Sequence, residues 1–243
     1  MSSFVFFLIV SIGVSSANFL NYCNEEKCFD LSPFEELQEL NFLPDKEDLK
    51  KICPKLLKFL DCEFENIEEC NGVGIEELAL SPNESVAALS SLLLTIGSIS
   101  ADICNENTVL HHEYIANLDC FRTFFTESFG DECEESSQRI TLGFSDFMKS
   151  SEEDEESTKF ISCMETPLEI ACVSNLLQTQ CGQSARNTFV KVMRRIKPIL
   201  DIECELEDIG SLKEAFFGYV ILSDEEHEVY RSVLDELLKR RRR

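Results

Sequence analysis

Twelve cysteines, all beyond residue 17, limit what this 243-residue chain can fold into. Their order contains a frame that is written twice. The first copy runs CPKLLKFLDCEFENIEEC and places Cys53, Cys62 and Cys70. The second runs CMETPLEIACVSNLLQTQC and places Cys163, Cys172 and Cys181. Each triplet leads into an amphipathic run that ends on a fourth cysteine, Cys104 and Cys204, and the apolar residues of the two runs fall in register: Leu89 with Phe189, Leu92 with Val192, Leu93 with Met193, Ile96 with Ile196, Ile99 with Ile199. The frame reads either as one helical unit duplicated or as a coincidence of spacing in a cysteine-rich chain. If each copy is an antiparallel helical hairpin, its outer ends meet, and Cys53 bonds to Cys104 and Cys163 to Cys204. Cys62 and Cys70 cannot bond within one helix, because eight residues rise about 12 Å. Cys120 and Cys133 are the candidate partners, and Cys23 and Cys28 tie the amino-terminal tail to the body.

An even set of cysteines in a secretory setting reads as a disulfide framework. The leader supplies that setting. Phe4 to Val14 is an apolar core too short to span a bilayer, and Ser15-Ser16-Ala17 is a small-residue cleavage site, although the usual basic start is missing. Residues 1–17 are therefore expected to be a signal peptide of a secreted, extracellular protein, and no later run is expected to span a membrane. A metal framework is disfavoured: there is no Cys-x-x-Cys pair and only three histidines. The net charge of −24 argues against nucleic acid as a partner and for a soluble monomer.

The rest of the chain reads as helix. Leu49, Ile52, Cys53, Leu56, Leu60, Phe64 and Ile67 recur at three- and four-residue steps, the period of one buried helical face. Pro54 predicts a break there, and Gly72 and Gly74 predict its end. Ser32-Pro33-Phe34-Glu35, Ser81-Pro82-Asn83-Glu84 and Ser223-Asp224-Glu225-Glu226 are capping boxes for three further starts. Helices are expected over 82–104 and 109–128. A break follows at Gly130-Asp131, then a short piece over 140–148. The second frame is expected to run as helix over 160–181 and stop at Gly182. No run of alternating β-branched residues calls for a sheet. The expectation is an all-α, disulfide-rich bundle of about eight helices, two duplicated hairpin units. The divisions expected are a first half over 18–149, an acidic loop over 150–157 and a second half over 158–243.

No catalytic set stands out. There is no Gly-x-Ser-x-Gly elbow, and all twelve cysteines look structural. His111 and His112 are adjacent, and neighbours on a helix point about 100° apart, so they do not share a site. Ser150 and Ser151 each precede a glutamate by two residues, the pattern of a secretory-pathway phosphorylation site; the bland alternative is a solvated loop. Asn83-Glu84-Ser85 is an N-glycosylation sequon. The basic tail Lys239 to Arg243 pairs with the acidic body, binds polyanions or is trimmed. Nineteen phenylalanines without tryptophan suit a packed interior, or a pocket for a hydrophobic small molecule. No cofactor and no metal are expected.

DLKKICPKLLKFLDCEFENIEEC (Asp48 to Cys70), Ile103-Cys104, Cys120-Phe121 and the Cys181-Gly182 turn with Ala185 resemble a secreted cysteine-rich family of chelicerates and nematodes, catalogued as a domain of unknown function. It is similar in turn to small haemolymph glycoproteins of insects. The resemblance spans Cys53 to Cys204 and implies a helical protein of body fluid or gland secretion. It carries no activity to transfer. The reading is a non-enzymatic extracellular binding or carrier protein, for a protein partner or hydrophobic ligand. The alternatives are a venom or gland component acting on a host target and a hydrolase with an unrecognised site.

Overall fold

The computed structural model describes residues 27–126, 129–148, 154–200 and 209–238, the side chains of 129–131, 154–162, 197–200 and 209 excepted. Its described residues are all-α: a short 3-10 turn over Phe29–Leu31, then α1 Phe34–Glu39, α2 Lys46–Asn71, α3 Ile75–Leu78, α4 Glu84–Cys104, α5 Val109–Thr126, α6 Phe129–Met148, α7 Asp154–Leu200, α8 Ile209–Tyr219 and α9 Asp224–Leu237. The chain divides into two compact units, residues 1–126 and 127–243.

In unit 1, α2 and α4 pack on each other, and Cys53 near the start of α2 is bonded to Cys104 at the end of α4. That is the hairpin the cysteine frame predicts. Asp45 opens α2 as a true capping box, its carboxylate accepting from the backbone of Glu47 and Asp48. Those hydrogen bonds hold the Asp45 carboxyl below its usual range. Gly72 closes the helix at φ 74°, a left-handed conformation that glycine adopts without a Cβ penalty. The expected break at Pro54 does not occur: α2 runs through it unbroken. Proline removes the hydrogen bond to the carbonyl of Lys50, an exposed residue that water can satisfy, while buried Leu49, Ile52 and Cys53 keep the turn in place.

Two of the expected capping boxes also shift. Pro33, not Ser32, occupies the cap position of α1, and Ser32 Oγ only accepts from the Phe34 N–H at 3.4 Å. At α4 the cap is Asn83, not Ser81, whose hydroxyl instead accepts the Asn83 N–H at 3.2 Å. After α1, Asn41 and Phe42 take left-handed φ values of 51° and 58°, rare for a bulky residue. Phe42 is held there by burial with Leu37 and Ile52 and by its ring contact with Phe34, 5.6 Å between centroids. The loop that follows is tied from α5. Tyr114 donates to the Pro44 carbonyl at 2.7 Å, and Arg122 forks onto the Leu43 carbonyl at 3.0 and 2.8 Å.

α4 is long and apolar enough to cross a membrane by length and composition. Here it is the central helix of unit 1. Leu92, Leu93, Ile96, Ile99 and Ile103 are buried, and α2, α3 and α5 pack against it.

Unit 2 is organised by α7, against which α6 and α9 pack. Three sequence expectations change here. α6 is continuous from Phe129, so Gly130 lies in its first turn; there the backbone N–H groups need no helical partner and glycine costs little. The piece expected over 140–148 is the second half of that helix. The acidic run is helical from Asp154 onward, where it opens α7 at the end of the macrodipole that favours negative charge; residues 150–153 lie outside the described residues. The structural division accordingly falls between Thr126 and Glu127 rather than at 150–157. Gly182, at φ 82° and ψ 174°, breaks α7 where the sequence places its stop.

Among the described residues every cysteine is disulfide-bonded, the pattern of an oxidising compartment. Cys62 bonds to Cys28 and Cys133 to Cys172, so the expected pairing of Cys62 with Cys120 or Cys133 is wrong. In both bridges the middle cysteine of a frame reaches back to an upstream cysteine. Cys70, Cys120, Cys163 and Cys181 are also bonded. Cys23 and Cys204, the latter the expected partner of Cys163, lie outside the described residues.

Candidate functional site

The two adjacent histidines do not form a site. His111 is buried on α5, and its ring Nδ1 sits 2.6 Å from the Ile103 carbonyl, which as an acceptor requires the proton on Nδ1. It joins the end of α4 to the start of α5, helped by Thr108 Oγ1, which accepts the His111 N–H at 3.1 Å. His112 is exposed and meets the first ring edge-on at 5.7 Å. His227 lies at 4.7 Å from the Phe217 ring, with the Arg231 guanidinium 5.1 Å from that ring's centroid. No group of three or more His, Cys, Asp or Glu side chains among the described residues is arranged to hold a metal ion.

One carboxylate stands apart, and no motif in the chain marks it. Glu169 on α7 is only 7 % exposed. Burial pushes its carboxyl up to about 7, and the neighbouring Glu134 carboxylate adds to the shift, with Glu165 contributing less. The Cys133–Cys172 bridge explains the pairing. Glu134 follows Cys133 on α6, and Glu169 lies one turn before Cys172 on α7, whose Cα is 5.6 Å from that of Cys133. The disulfide therefore brings two acidic residues of unlike surroundings to one place.

Unit 2 also has an apolar surface feature among its described residues. Phe144 of α6 is fully buried between α8 side chains, with its ring 5.6 Å from Phe216 and 5.4 Å from Tyr219. Gly143 makes that approach possible: a Cβ there would lie 2.5 Å from Tyr219 Oη. From this buried wedge the aromatic series continues outward. Phe147 packs against Tyr219 with ring centroids 5.2 Å apart and planes tilted by 39°, and it is 56 % exposed. Two residues beyond Tyr219, Ile221 is 98 % exposed. It is followed by the capping box of α9, Ser223 with Glu226, and by exposed Asp224 and Glu225. An apolar projection is thus set beside fixed negative charge. Periodicity could not show it, because Val220 to Leu222 belongs to no helix.

Asn83 is exposed and caps α4 through Oδ1, which accepts from the backbone of Ser85 at 3.1 Å and Val86 at 3.3 Å. Residues 1–17, Ser150, Ser151 and Lys239 to Arg243 lie outside the described residues. No family model, no curated protein and no solved structure matches the chain.

Proposed function

We propose that the protein is a secreted, non-enzymatic binding protein of haemolymph or a gland secretion that receives a cationic, partly apolar segment of another protein on unit 2. One observation carries the reading: Ile221, 98 % exposed, comes two residues after Tyr219, whose ring packs on exposed Phe147, and directly before an acidic helix start. A large aliphatic side chain held wholly in water is unfavourable by roughly 1.5–3 kcal/mol relative to burial, so a partner that covers it recovers that energy. The charge complements it. Asp224 and Glu225 beside the patch, and the net charge of −24, favour a basic partner and oppose both self-association and an anionic lipid surface. The disulfides support a rigid scaffold for extracellular use. The resemblance of Cys53 to Cys204 to secreted cysteine-rich proteins fits the same reading.

Binding of a synthetic leucine–lysine amphipathic helix, followed by calorimetry, tests it. The wild type binds, and Ile221→Glu loses most of the affinity although it adds negative charge. Equal or tighter binding by Ile221→Glu would mean that the contact is electrostatic alone and would end the proposal. Native mass spectrometry of detergent-free protein separates the carrier alternative. A lipid-sized mass retained by both proteins would place the ligand in the interior instead.

A further inference from the structure

We infer that Asn83 carries an N-linked glycan, and that α4 keeps its amino-terminal cap with the glycan in place. The inference rests on the secretory reading of residues 1–17. The sequon Asn83-Glu84-Ser85 lies across the first turn of α4, and all three residues are exposed. The two ends of the Asn83 amide do separate jobs. Oδ1 accepts from Ser85 and Val86, which satisfies two of the orphan donors of the helix. Nδ2 makes no hydrogen bond with the described residues and faces no competing partner.

Transfer uses only that free end. Nδ2 attacks C1 of an oligosaccharide borne on a lipid pyrophosphate. The new N–C1 bond replaces the C1–O bond, the lipid pyrophosphate leaves, and a base of the transferase takes the Nδ2 proton. The product is still an amide with an intact carbonyl, so both cap hydrogen bonds survive. Leu80, three residues upstream, is 85 % exposed, the most exposed large apolar residue of unit 1 among those described. The second copy of the frame has Gln183 at the corresponding place, so the modification marks one unit only.

The geometry also dictates the controls. Asn83→Ala removes glycan and cap together. Asn83→Asp removes the glycan and keeps an equally good cap, and Ser85→Ala removes the sequon while leaving Asn83 in place. The experiment is intact mass of secreted protein before and after peptide N-glycosidase, under its own leader and under a heterologous one. The expected result is one glycan on the wild type, none on Asn83→Asp or Ser85→Ala, and a lower melting temperature for Asn83→Ala alone. A bare polypeptide mass for wild type secreted under either leader overturns the inference. A glycan seen only with the heterologous leader would leave the site standing and remove the leader reading.

Discussion

In unit 1 the middle cysteine of the frame, Cys62, reaches back 34 residues to Cys28; in unit 2 its counterpart Cys172 reaches back 39 residues to Cys133. The long helix that carries each triplet ends at a glycine with positive φ, Gly72 at 74° and Gly182 at 82°. The amphipathic runs bury the same register, Leu93 with Met193 and Ile96 with Ile196, and within the frames Leu60 with Ile170. Bridges, turn conformation and buried face agree, which favours duplication over coincidence. The differences are in what each copy does with its polar groups. Unit 1 spends its side chains on its own backbone: Tyr114, Arg122 and His111 each bond to a loop or helix-end carbonyl. Unit 2 buries a carboxylate and exposes an isoleucine.

If the two copies are equivalent in architecture, their bridges should weigh alike. Cys28 and Cys62 are 34 residues apart and Cys133 and Cys172 are 39 apart. Because loop-closure entropy rises only with the logarithm of length, replacing either pair by alanine should cost about 4 kcal/mol. Urea unfolding of the two double variants measures it. A near-zero loss for one pair would break the equivalence.

The next effect should separate the copies. The position that is buried Glu169 in unit 2 is half-buried Phe59 in unit 1. A carboxyl raised from 4.5 to about 7 makes folding bind a proton between those two values. Stability contributed by the neutral form is therefore present below about pH 4.5 and is lost as pH rises through about 7, by up to about 3 kcal/mol. Glu169→Gln should flatten this dependence and unfold at higher temperature than wild type at pH 8, with little difference at pH 5. A wild-type melting profile that Glu169→Gln leaves unchanged would show that the charge is already screened.

How far the sequence led follows from these same residues. The helical period of Leu49 to Ile67 and the even cysteines were enough for an all-α, disulfide-bonded chain, and the outer pairing Cys53–Cys104 followed from hairpin geometry. The partner of Cys62 did not, because linear spacing says which cysteines cannot meet but not which of the remaining ones do. The acidic run looked like a linker by composition, yet at the start of α7 the same charges suit the macrodipole. Glu169 was one glutamate among many, since its burial depends on α6, which is brought over it by a bridge that spacing did not predict. Ile221 was hidden for the opposite reason: it belongs to no periodic segment.

A smaller effect tests whether the acidic helix start of unit 2 is structural. Ser223 accepts the Glu226 N–H at 3.3 Å, and Glu226 reaches back to the Ser223 N–H at 2.9 Å. Ser223→Ala should cost about 1 kcal/mol through the lost cap. Ser223→Asp should restore it, because the cap needs only an acceptor. If both variants melted like wild type, α9 would be held by the packing of Val229, Tyr230, Val233 and Leu234 alone.

The smallest expected effect on folding belongs to the residue with the largest proposed role. Ile221 is almost wholly exposed, so Ile221→Ser removes no packing and should shift stability by less than about 0.5 kcal/mol. Its value as a test lies in the contrast with Leu80, the other nearly bare aliphatic residue, at 85 % exposure in unit 1. If exposure alone made an apolar residue sticky, Leu80→Ser and Ile221→Ser would weaken binding of the leucine–lysine helix equally. The surroundings of the two residues differ. Ile221 comes two residues after Tyr219, whose ring packs on exposed Phe147, whereas Leu80 comes three residues before Asn83 and its proposed sugar. In titrations of deglycosylated protein, loss of binding should therefore follow Ile221→Ser and not Leu80→Ser.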